Sequence, residues 1–148
     1  MILEMSIKIP KIKHPGAALI VPFLNKNKVV LLRQYRPVIK KYLYELPAGT
    51  LEKGESNISC ARRELIEETR YSADKLIKLG YIYPVPGYST EKIIIYKALN
   101  LSPVKRCPEK DEIITQSIVN KDKVRRLFKS GKINDAKTIC AFSLCQWI

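Results

Sequence analysis

The amino-acid sequence predicts a single α+β domain built on a mixed, layered β-sheet. Its 148 residues, 46% of them hydrophobic, suffice for one domain with its own core. Strand-like runs occur both before and between helical segments, in an irregular order unlike the strict alternation of a doubly wound sheet. We therefore expect residues 1–148 to form one domain, with residues 1–13 as a short N-terminal strand or arm.

Apolar and β-branched runs indicate the strands. Residues 16–24 and 29–35 flank the polar segment 25–28, which predicts a β-hairpin. Further strands are predicted at residues 42–46, 81–84, 91–98 and 112–119.

Capping residues indicate the helices. Ser56 is placed to cap a helix that runs to about Arg70, and Ser72 to cap a short helix through residue 78. Asn120 and Asn134 are placed to cap two final helices, the first of which ends at Gly131.

The chain is strongly basic, with 27 Lys and Arg against 14 Asp and Glu and a formal net charge of +13. The basic residues form neither a long run nor a stripe interleaved with aromatic residues, so the pattern favours an anionic small-molecule substrate over nucleic acid. Scattered cysteines and a single histidine, His14, argue against a zinc site. No apolar run approaches the roughly 20 residues of a membrane-spanning helix and no signal-peptide pattern begins the chain, so we expect a cytoplasmic protein without a membrane partner.

The most informative segment is the helix predicted after Ser56. At 100° per residue, Glu64, Glu67 and Glu68 lie within an arc of roughly 100°. An adjacent apolar stripe of Ile58, Ala61 and Leu65 is expected to press this helix onto the fold. Carboxylates so close together need cations to stay ionised, and Mg²⁺ suits hard oxygen ligands and phosphate chemistry. A charge-rich helix of this kind is also typical of an ordinary solvated surface, where arginines pair with the glutamates.

The loop before the helix favours the metal interpretation. Arg63 lies one turn before Glu67 and can reach back towards Glu55, which would fix the loop against the helix. Gly49 and Gly54 are expected to let this loop turn and to bring a backbone carbonyl, that of Ala48, close to the metal.

Residues 49–71 resemble the Nudix box. This motif consists of a glycine, a glutamate and an Arg-Glu-aliphatic-x-Glu-Glu block at fixed spacing. The matching residues are Gly49, Glu55, Arg63, Glu64, Leu65, Glu67 and Glu68. One position departs, because Arg70 stands where the box has a glycine that ends the helix in a left-handed conformation. The resemblance implies a Nudix-type mixed β-sheet sandwiched between helices.

Flanking segments are similar to the ADP-ribose pyrophosphatase branch of that family. They are residues 34–37, 45–49 and 135–138, together with Pro86, which lies 15 residues after Tyr71. The branch implies hydrolysis of ADP-ribose, or a related nucleoside diphosphate sugar, to AMP and ribose 5-phosphate. It also implies a homodimer, although only about a dozen residues precede His14, fewer than members of the branch commonly carry.

The resemblance also implies roles for individual residues. Ala48, Glu64, Glu67 and Glu68 would hold Mg²⁺, with Mn²⁺ as a substitute, while Gly49, Glu55 and Arg63 would be structural. The catalytic carboxylates would be Glu67, as a shared ligand, and a water-activating base on the loop 107–112, with Glu109 favoured over Glu112. Arg36, Pro86 and Glu91 would bind substrate.

Several alternatives remain open from sequence alone. The same box is compatible with hydrolysis of dinucleoside polyphosphates, NADH or oxidised nucleotides, because it engages only the diphosphate. A different class of function would be a non-catalytic module that binds a nucleotide or RNA, or an isomerase of isoprenoid diphosphates. A retained set of box glutamates favours the hydrolases.

Overall fold

A computed structural model describes residues 11–105 and 112–148. The elements, in chain order, are β1 (Ala17–Asn25), β2 (Lys28–Arg36), β3 (Lys41–Glu45), β4 (Ala48–Thr50), α1 (Asn57–Thr69), β5 (Tyr71–Ile82), β6 (Ile93–Pro103), β7 (Ile114–Asn120), α2 (Lys121–Lys129) and α3 (Ala136–Leu144). The strands form a sheet of order β3-β2-β1-β6-β5, with β4 paired to β1 and β7 to β2. The pairing of β1 with β6 is parallel and the others are antiparallel, so the predicted mixed sheet is confirmed.

Strand β1 is the centre of the fold because both of its faces are buried. Leu19 and Val21 face a core that contains residues of α2 and α3, whereas Ala18 and Ile20 face a second core under α1. A strand covered on both faces requires a continuous apolar run, which the sequence of β1 provides. The helices therefore lie on both sides of the sheet, as the resemblance to the Nudix box implied.

Helix α1 begins and ends as its capping residues dictate. The Ser56 hydroxyl accepts a hydrogen bond from the Ser59 amide at 3.2 Å, which satisfies an N-terminal donor. At the other end Arg70 adopts the left-handed conformation, with φ 59°, and its amide donates to the Ile66 carbonyl at 2.8 Å. Arginine thus takes the conformation for which glycine is usual, so the helix ends where the box predicts despite the departure at this position.

Helix α1 packs through a narrower stripe than expected. Ala61 and Leu65 are fully buried against the sheet, together with Cys60. Ile58 is 44% exposed, so its assignment to the buried stripe was wrong. It lies in the first turn of the helix.

The helix predicted for residues 72–78 is wrong, since these residues belong to β5. That strand pairs with β6 from Tyr71 opposite Pro103 to Ile82 opposite Ile93. Pairing along this length outweighs the local capping signal of Ser72, as tertiary context often overrides propensity.

Smaller differences concern boundaries. Strand β4 was not predicted, and the strand expected at 81–84 is the end of β5. Asp135, not Asn134, caps α3, because its carboxylate accepts from the Thr138 amide at 3.1 Å. Asn120 caps α2 as predicted, and Gly131 follows its end with φ 70°.

The predicted N-terminal arm is described only in its last residues. Ile12 forms an isolated parallel bridge with Ser89, and its amide donates to the Tyr88 carbonyl at 2.7 Å. Residues 1–10 lie outside the described part of the chain. Among the described helices none has the length and apolar character needed to cross a bilayer.

Candidate active site

A cleft of about 590 Å³ lies where β4, α1 and the N-terminus of α3 meet. We call the lining from β4, the following loop and α1 one wall, with Ala48, Gly49, Glu52, Arg63 and Glu64, and the lining that includes Arg36, Glu112, Asp135, Ala136 and Lys137 the other wall. Each wall is built around a group of charged side chains. We refer to Glu52, Glu55, Arg63, Glu64, Glu67 and Glu68 as the acidic cluster, and to Arg36, Glu45, Asp135 and Lys137 as the paired cluster.

Arg63 is the centre of the acidic cluster. Its Nε and Nη2 donate to the two Glu55 carboxylate oxygens at 2.8 and 2.9 Å, and Nη2 also donates to the Thr50 carbonyl at 3.1 Å. Its Nη1 donates to Glu64 at 2.5 Å and to Glu67 at 3.4 Å. The arginine therefore joins the loop to the helix, which is the geometry that the spacing predicted.

The contacts of Arg63 fix the charge state of the loop glutamate. Hydrogen bonds from Arg63, with a smaller opposing effect of burial, lower the pKa of Glu55 to about 2. The Oε2 atom of Glu55 also accepts a hydrogen bond from the Glu52 amide at 2.9 Å, which closes the loop on itself. Glu55 is thus a carboxylate at any physiological pH.

Gly49 is required because a side chain would not fit there, and not because the backbone turns. It lies in β4, paired with Ala18, and a Cβ added there would overlap the carboxylate of Glu64. The expectation that Gly49 turns the loop is therefore wrong, whereas Gly54 does adopt a left-handed conformation, with φ 77°. The glycine lets Glu64, only 3% exposed, lie directly against the strand.

Glu68 forms a second connection between α1 and β4. Its Oε2 accepts from the Ala48 amide at 3.0 Å, and the residue is buried. Cys60 lies beneath the loop, where its thiol donates to the Gly49 carbonyl at 3.4 Å and burial raises its pKa to about 11. Cys60 is therefore a neutral packing group, fully buried one turn before Glu64.

The residues present fit a divalent cation that enters together with a phosphate. No three Asp, Glu, His or Cys side chains within residues 11–105 and 112–148 form a ready-made metal cage. Mg²⁺ is nevertheless commonly held by one or two carboxylates plus waters and substrate phosphates. Glu64 and the backbone of Ala48 line the cleft and provide such hard oxygen donors, with Glu68 against Ala48 and Glu67 against Arg63.

The paired cluster is organised around a buried carboxylate, that of Glu45, which is 1% exposed. Arg36 donates to it through Nε and Nη2 at 2.8 and 2.6 Å, and Lys137 Nζ donates at 2.7 Å. Burial opposes ionisation, but the hydrogen bonds and charges of Arg36 and Lys137 outweigh it, so the pKa of Glu45 lies below its ordinary value. The hydrogen bond to Glu45 likewise raises the pKa of Arg36.

Asp135 extends the paired cluster into α3. One of its carboxylate oxygens accepts from Lys137 Nζ at 2.8 Å, and the other accepts from the Thr138 hydroxyl at 2.6 Å and caps the helix. The Thr138 hydroxyl in turn accepts from the Leu46 amide at 3.0 Å. These bonds tie the start of α3 to the end of β3.

Of the residues predicted to bind substrate, two line the cleft and one does not. Arg36 and Glu91 are part of the lining, and Glu91 lies 3.8 Å from His14 Nε2. Pro86 is exposed and outside the lining, where Pro84 takes the corresponding place. For the predicted base, Glu112 lines the cleft, whereas Glu109 lies outside the described residues.

Sequence analysis gave no role to Glu45, Asp135 or Lys137. Glu45 and Lys137 are 92 residues apart in the sequence, so no local spacing relates them. A usable signal was the single acidic residue within the predicted strand 42–46, since an unpaired carboxylate there is costly to bury and needs cations nearby.

Comparisons with known proteins agree with this geometry. The NUDIX domain family matches residues 13–142. The chain is 36% identical over 137 residues to an ADP-ribose pyrophosphatase of Bacillus subtilis, with 91% of this chain and 74% of the relative covered. It is 35% identical over 137 residues to a methanol dehydrogenase activator of Bacillus methanolicus, with the same coverage of both chains.

A further relative and a solved structure are also similar to this chain. A GDP-mannose pyrophosphatase of Escherichia coli is 31% identical over 141 residues, covering 88% of this chain and 73% of the relative. A solved structure of an ADP compounds hydrolase superposes with a TM-score of 0.79 at 27% identity, covering 88% of this chain and 70% of that chain.

The chain therefore belongs to the Nudix family, as the box predicted. Family membership and pyrophosphatase relatives identify it as a pyrophosphohydrolase.

Proposed function

We propose that the chain hydrolyses the pyrophosphate bond of ADP-ribose, or of a closely related nucleoside diphosphate sugar, to AMP and ribose 5-phosphate. The observation that carries the proposal is the cleft itself, in which an excess of carboxylates faces Arg36 and Lys137. A diphosphate would use both walls. The carboxylates of one wall can hold metal cations, the guanidinium group of the other donates hydrogen bonds, and both complement phosphate oxygens. The named activity of the Bacillus subtilis relative supports the substrate.

The acidic cluster would hold the metal. We assign the Ala48 carbonyl, Glu64 and Glu68 as Mg²⁺ ligands and Glu67 as a shared ligand, with Mn²⁺ as a substitute. When bound, the metal would neutralise the diphosphate and polarise its P–O bonds. Arg63 and Glu55 would hold the ligands in place through the four hydrogen bonds from Arg63 to Glu55, Glu64 and Glu67.

The paired cluster would orient the substrate. Two of the Arg36 nitrogens are used by Glu45, and its Nη1 has no hydrogen-bond partner within the described ranges. That nitrogen is available to a phosphate or ribose oxygen, and Glu91 lines the cleft beside Pro84, where a sugar hydroxyl would be accepted.

A carboxylate on the segment before β7 would orient the attacking water. Water attacks one phosphorus, the bridging oxygen leaves on the other phosphate, and the carboxylate accepts the proton. Glu112 lines the cleft near Arg36, and Glu109 remains the other candidate. Replacing each by glutamine separates them, because the base variant loses turnover while KM stays near its wild-type value.

A substrate panel tests the proposed function. ADP-ribose, GDP-mannose, NADH and diadenosine tetraphosphate are incubated with the protein and Mg²⁺, and products are separated by chromatography. We expect ADP-ribose to have the highest kcat/KM and to release AMP, with activity removed by EDTA and restored by Mg²⁺ or Mn²⁺. A higher kcat/KM for any other member of the panel would contradict the substrate assignment.

We also propose that the active form is a homodimer. Support comes from large apolar side chains exposed around the β2–β3 turn, where Val38 is 96% exposed, and at Ile113 on the neighbouring segment. Sedimentation velocity of the wild type and of Val38→Asp tests this, because a dimer formed through this patch would dissociate in the variant. A wild-type monomer at micromolar concentration would contradict it.

A further inference from the structure

A second cleft lies at the far end of the central strands. Its volume is about 570 Å³, close to that of the candidate active site and within the range of roughly 300–1,000 Å³ usual for small-molecule sites. Its walls come from the end of β1, the middle of β6 and the C-terminal end of α3. These segments have no part in the proposed reaction.

The floor of this cleft is apolar and contains packed aromatic rings. Trp147 meets Phe23 edge to face, with ring centroids 5.3 Å apart, and stacks on Phe142 at 5.8 Å. Arg125 Nε donates to the Trp147 carbonyl at 3.0 Å, which holds the chain end in place. Leu99 and Leu144 complete the apolar lining. The cleft is therefore a formed feature of the fold.

The charged residues known to line the cleft are both basic. Lys26 and Lys97 line it, and none of the described residues in its lining is acidic. Neither ammonium has an ion-pair partner among the residues that the structure describes, although Lys97 is partly buried. An ammonium that lines a largely apolar cleft without an acidic neighbour among the described residues is suited to an anion supplied from solution.

We propose that this cleft binds a small amphiphilic anion, a molecule with an apolar body and one anionic head. The body lies against Phe23, Leu99 and Trp147, and the head contacts Lys97, with Lys26 at the rim. Carboxylate and phosphate heads share the required chemistry, since both accept hydrogen bonds from an ammonium.

The second cleft is spatially separate from the catalytic one. Strand β1 begins in the catalytic cleft at Ala17 and ends in the second cleft at Asn25, a separation of roughly 25 Å at about 3.3 Å per residue. Helix α3 likewise begins at the catalytic cleft and ends at the second one. A ligand of the second cleft therefore leaves the catalytic cleft free, and the two sites are distinguishable by competition.

Fluorescence titration with 8-anilinonaphthalene-1-sulfonate, an amphiphilic anion, tests the proposal on the whole chain. We expect saturable binding with one site per chain, competed by decanoate and by decyl phosphate but not by 1-decanol at the same concentration. Lys97→Gln should weaken dye binding at least tenfold, and Leu144→Gln should weaken it less. Lys78→Gln, an exposed lysine on β5 outside the cleft, is the matched control and should bind as the wild type does.

Each contrary outcome overturns the proposal. Dye binding that Lys97→Gln leaves unchanged, in a variant with wild-type Tm, would exclude the head contact. Displacement of the dye by ADP-ribose would place it in the catalytic cleft, and equal competition by 1-decanol would exclude an anion site. Absence of saturable dye binding would show that it is not a small-molecule site.

Discussion

The two walls of the catalytic cleft carry their charges in opposite ways. In the acidic cluster a single guanidinium, that of Arg63, lies within 4 Å of four carboxylates: Glu52, Glu55, Glu64 and Glu67. In the paired cluster Arg36 and Lys137 share Glu45, and Asp135 balances the second cation. The acidic cluster therefore has excess negative charge, and the paired cluster is neutral.

This difference in charge indicates that the two walls have different functions. Carboxylates in excess of their cations attract further positive charge, so the acidic cluster is suited to recruit a metal ion. A balanced cluster needs no added ion, and its cations are held at fixed positions by a buried anion. The acidic cluster should therefore govern turnover, and the paired cluster should govern substrate affinity and stability.

The largest effect is expected from Glu68→Gln in the acidic cluster. The change keeps the shape and the acceptor for the Ala48 amide but removes a charge that the metal needs. Turnover should fall by more than the roughly 100-fold that loss of a group supporting a metal ligand costs, with a Tm close to wild type. Steady-state kinetics and thermal unfolding measure both quantities.

Glu52→Gln is the matched control for Glu68→Gln. Its carboxylate is 70% exposed and lies 3.7 Å from Arg63, so it belongs to the acidic cluster without supporting the proposed metal. We expect near-normal turnover. Similar losses in both variants would mean that overall negative charge, and not particular ligands, sets the rate.

Gly49→Ala should have the next largest effect. The added methyl group takes the place of the Glu64 carboxylate, which must move away from the strand and from the cleft. Turnover should fall by about 100-fold and the free energy of unfolding by about 1–3 kcal/mol, the usual cost of overpacking. Kinetics and urea unfolding check this, with Gly87→Ala as a control at a position open to solvent.

In the paired cluster, Glu45→Gln should act on stability and KM more than on kcat. Removing the buried anion leaves two cations without their partner, which typically costs about 3–5 kcal/mol when the pair is fully buried and less here because Arg36 is partly exposed. We expect KM for ADP-ribose to rise about tenfold, a loss of roughly 1.4 kcal/mol, while kcat changes little. Lys41→Gln, an exposed change on the same strand, is the control.

A kcat loss in Glu45→Gln as large as that in Glu68→Gln, with KM unchanged, would contradict the division between the walls. Urea unfolding distinguishes a structural collapse from a specific loss of affinity.

The smallest effect concerns the loop of the acidic cluster at low pH. The pKa of Glu55 is about 2 in the folded chain against an ordinary value of 4.5. The stabilisation by its pair with Arg63 is therefore fully present above pH 4.5 and is lost as the pH falls towards 2. The Tm difference between wild type and Glu55→Gln, a few degrees at neutral pH, should shrink over this window. A difference that stays constant from pH 7 to pH 2.5 would show that the carboxylate charge is not what stabilises the loop.

The two clusters were also unequally predictable from sequence. The acidic cluster lies within residues 48–68, where helical periodicity and loop length fix which groups meet. The contact of Arg63 with Glu55 was therefore predictable. The overlap of Gly49 with Glu64 was not, because it depends on how closely α1 lies against β4.

The paired cluster depends on the folded topology. Glu45 is brought to Lys137 only because β3 lies in the sheet beside the start of α3, and the bond from Leu46 to Thr138 fixes that approach. Strand β5 was missed for the same reason, since its pairing with β6 is a tertiary contact. Local signals predicted the hairpin and the limits of α1, where the interactions are themselves local.

Counting bound Mn²⁺ by electron paramagnetic resonance tests the central claim most directly. Wild type and Glu64→Gln are titrated with Mn²⁺ in the presence of α,β-methylene ADP-ribose, which keeps the diphosphate intact. The account predicts tight Mn²⁺ binding by the wild type that depends on the analogue and is lost in Glu64→Gln. Equal binding by both proteins would contradict it.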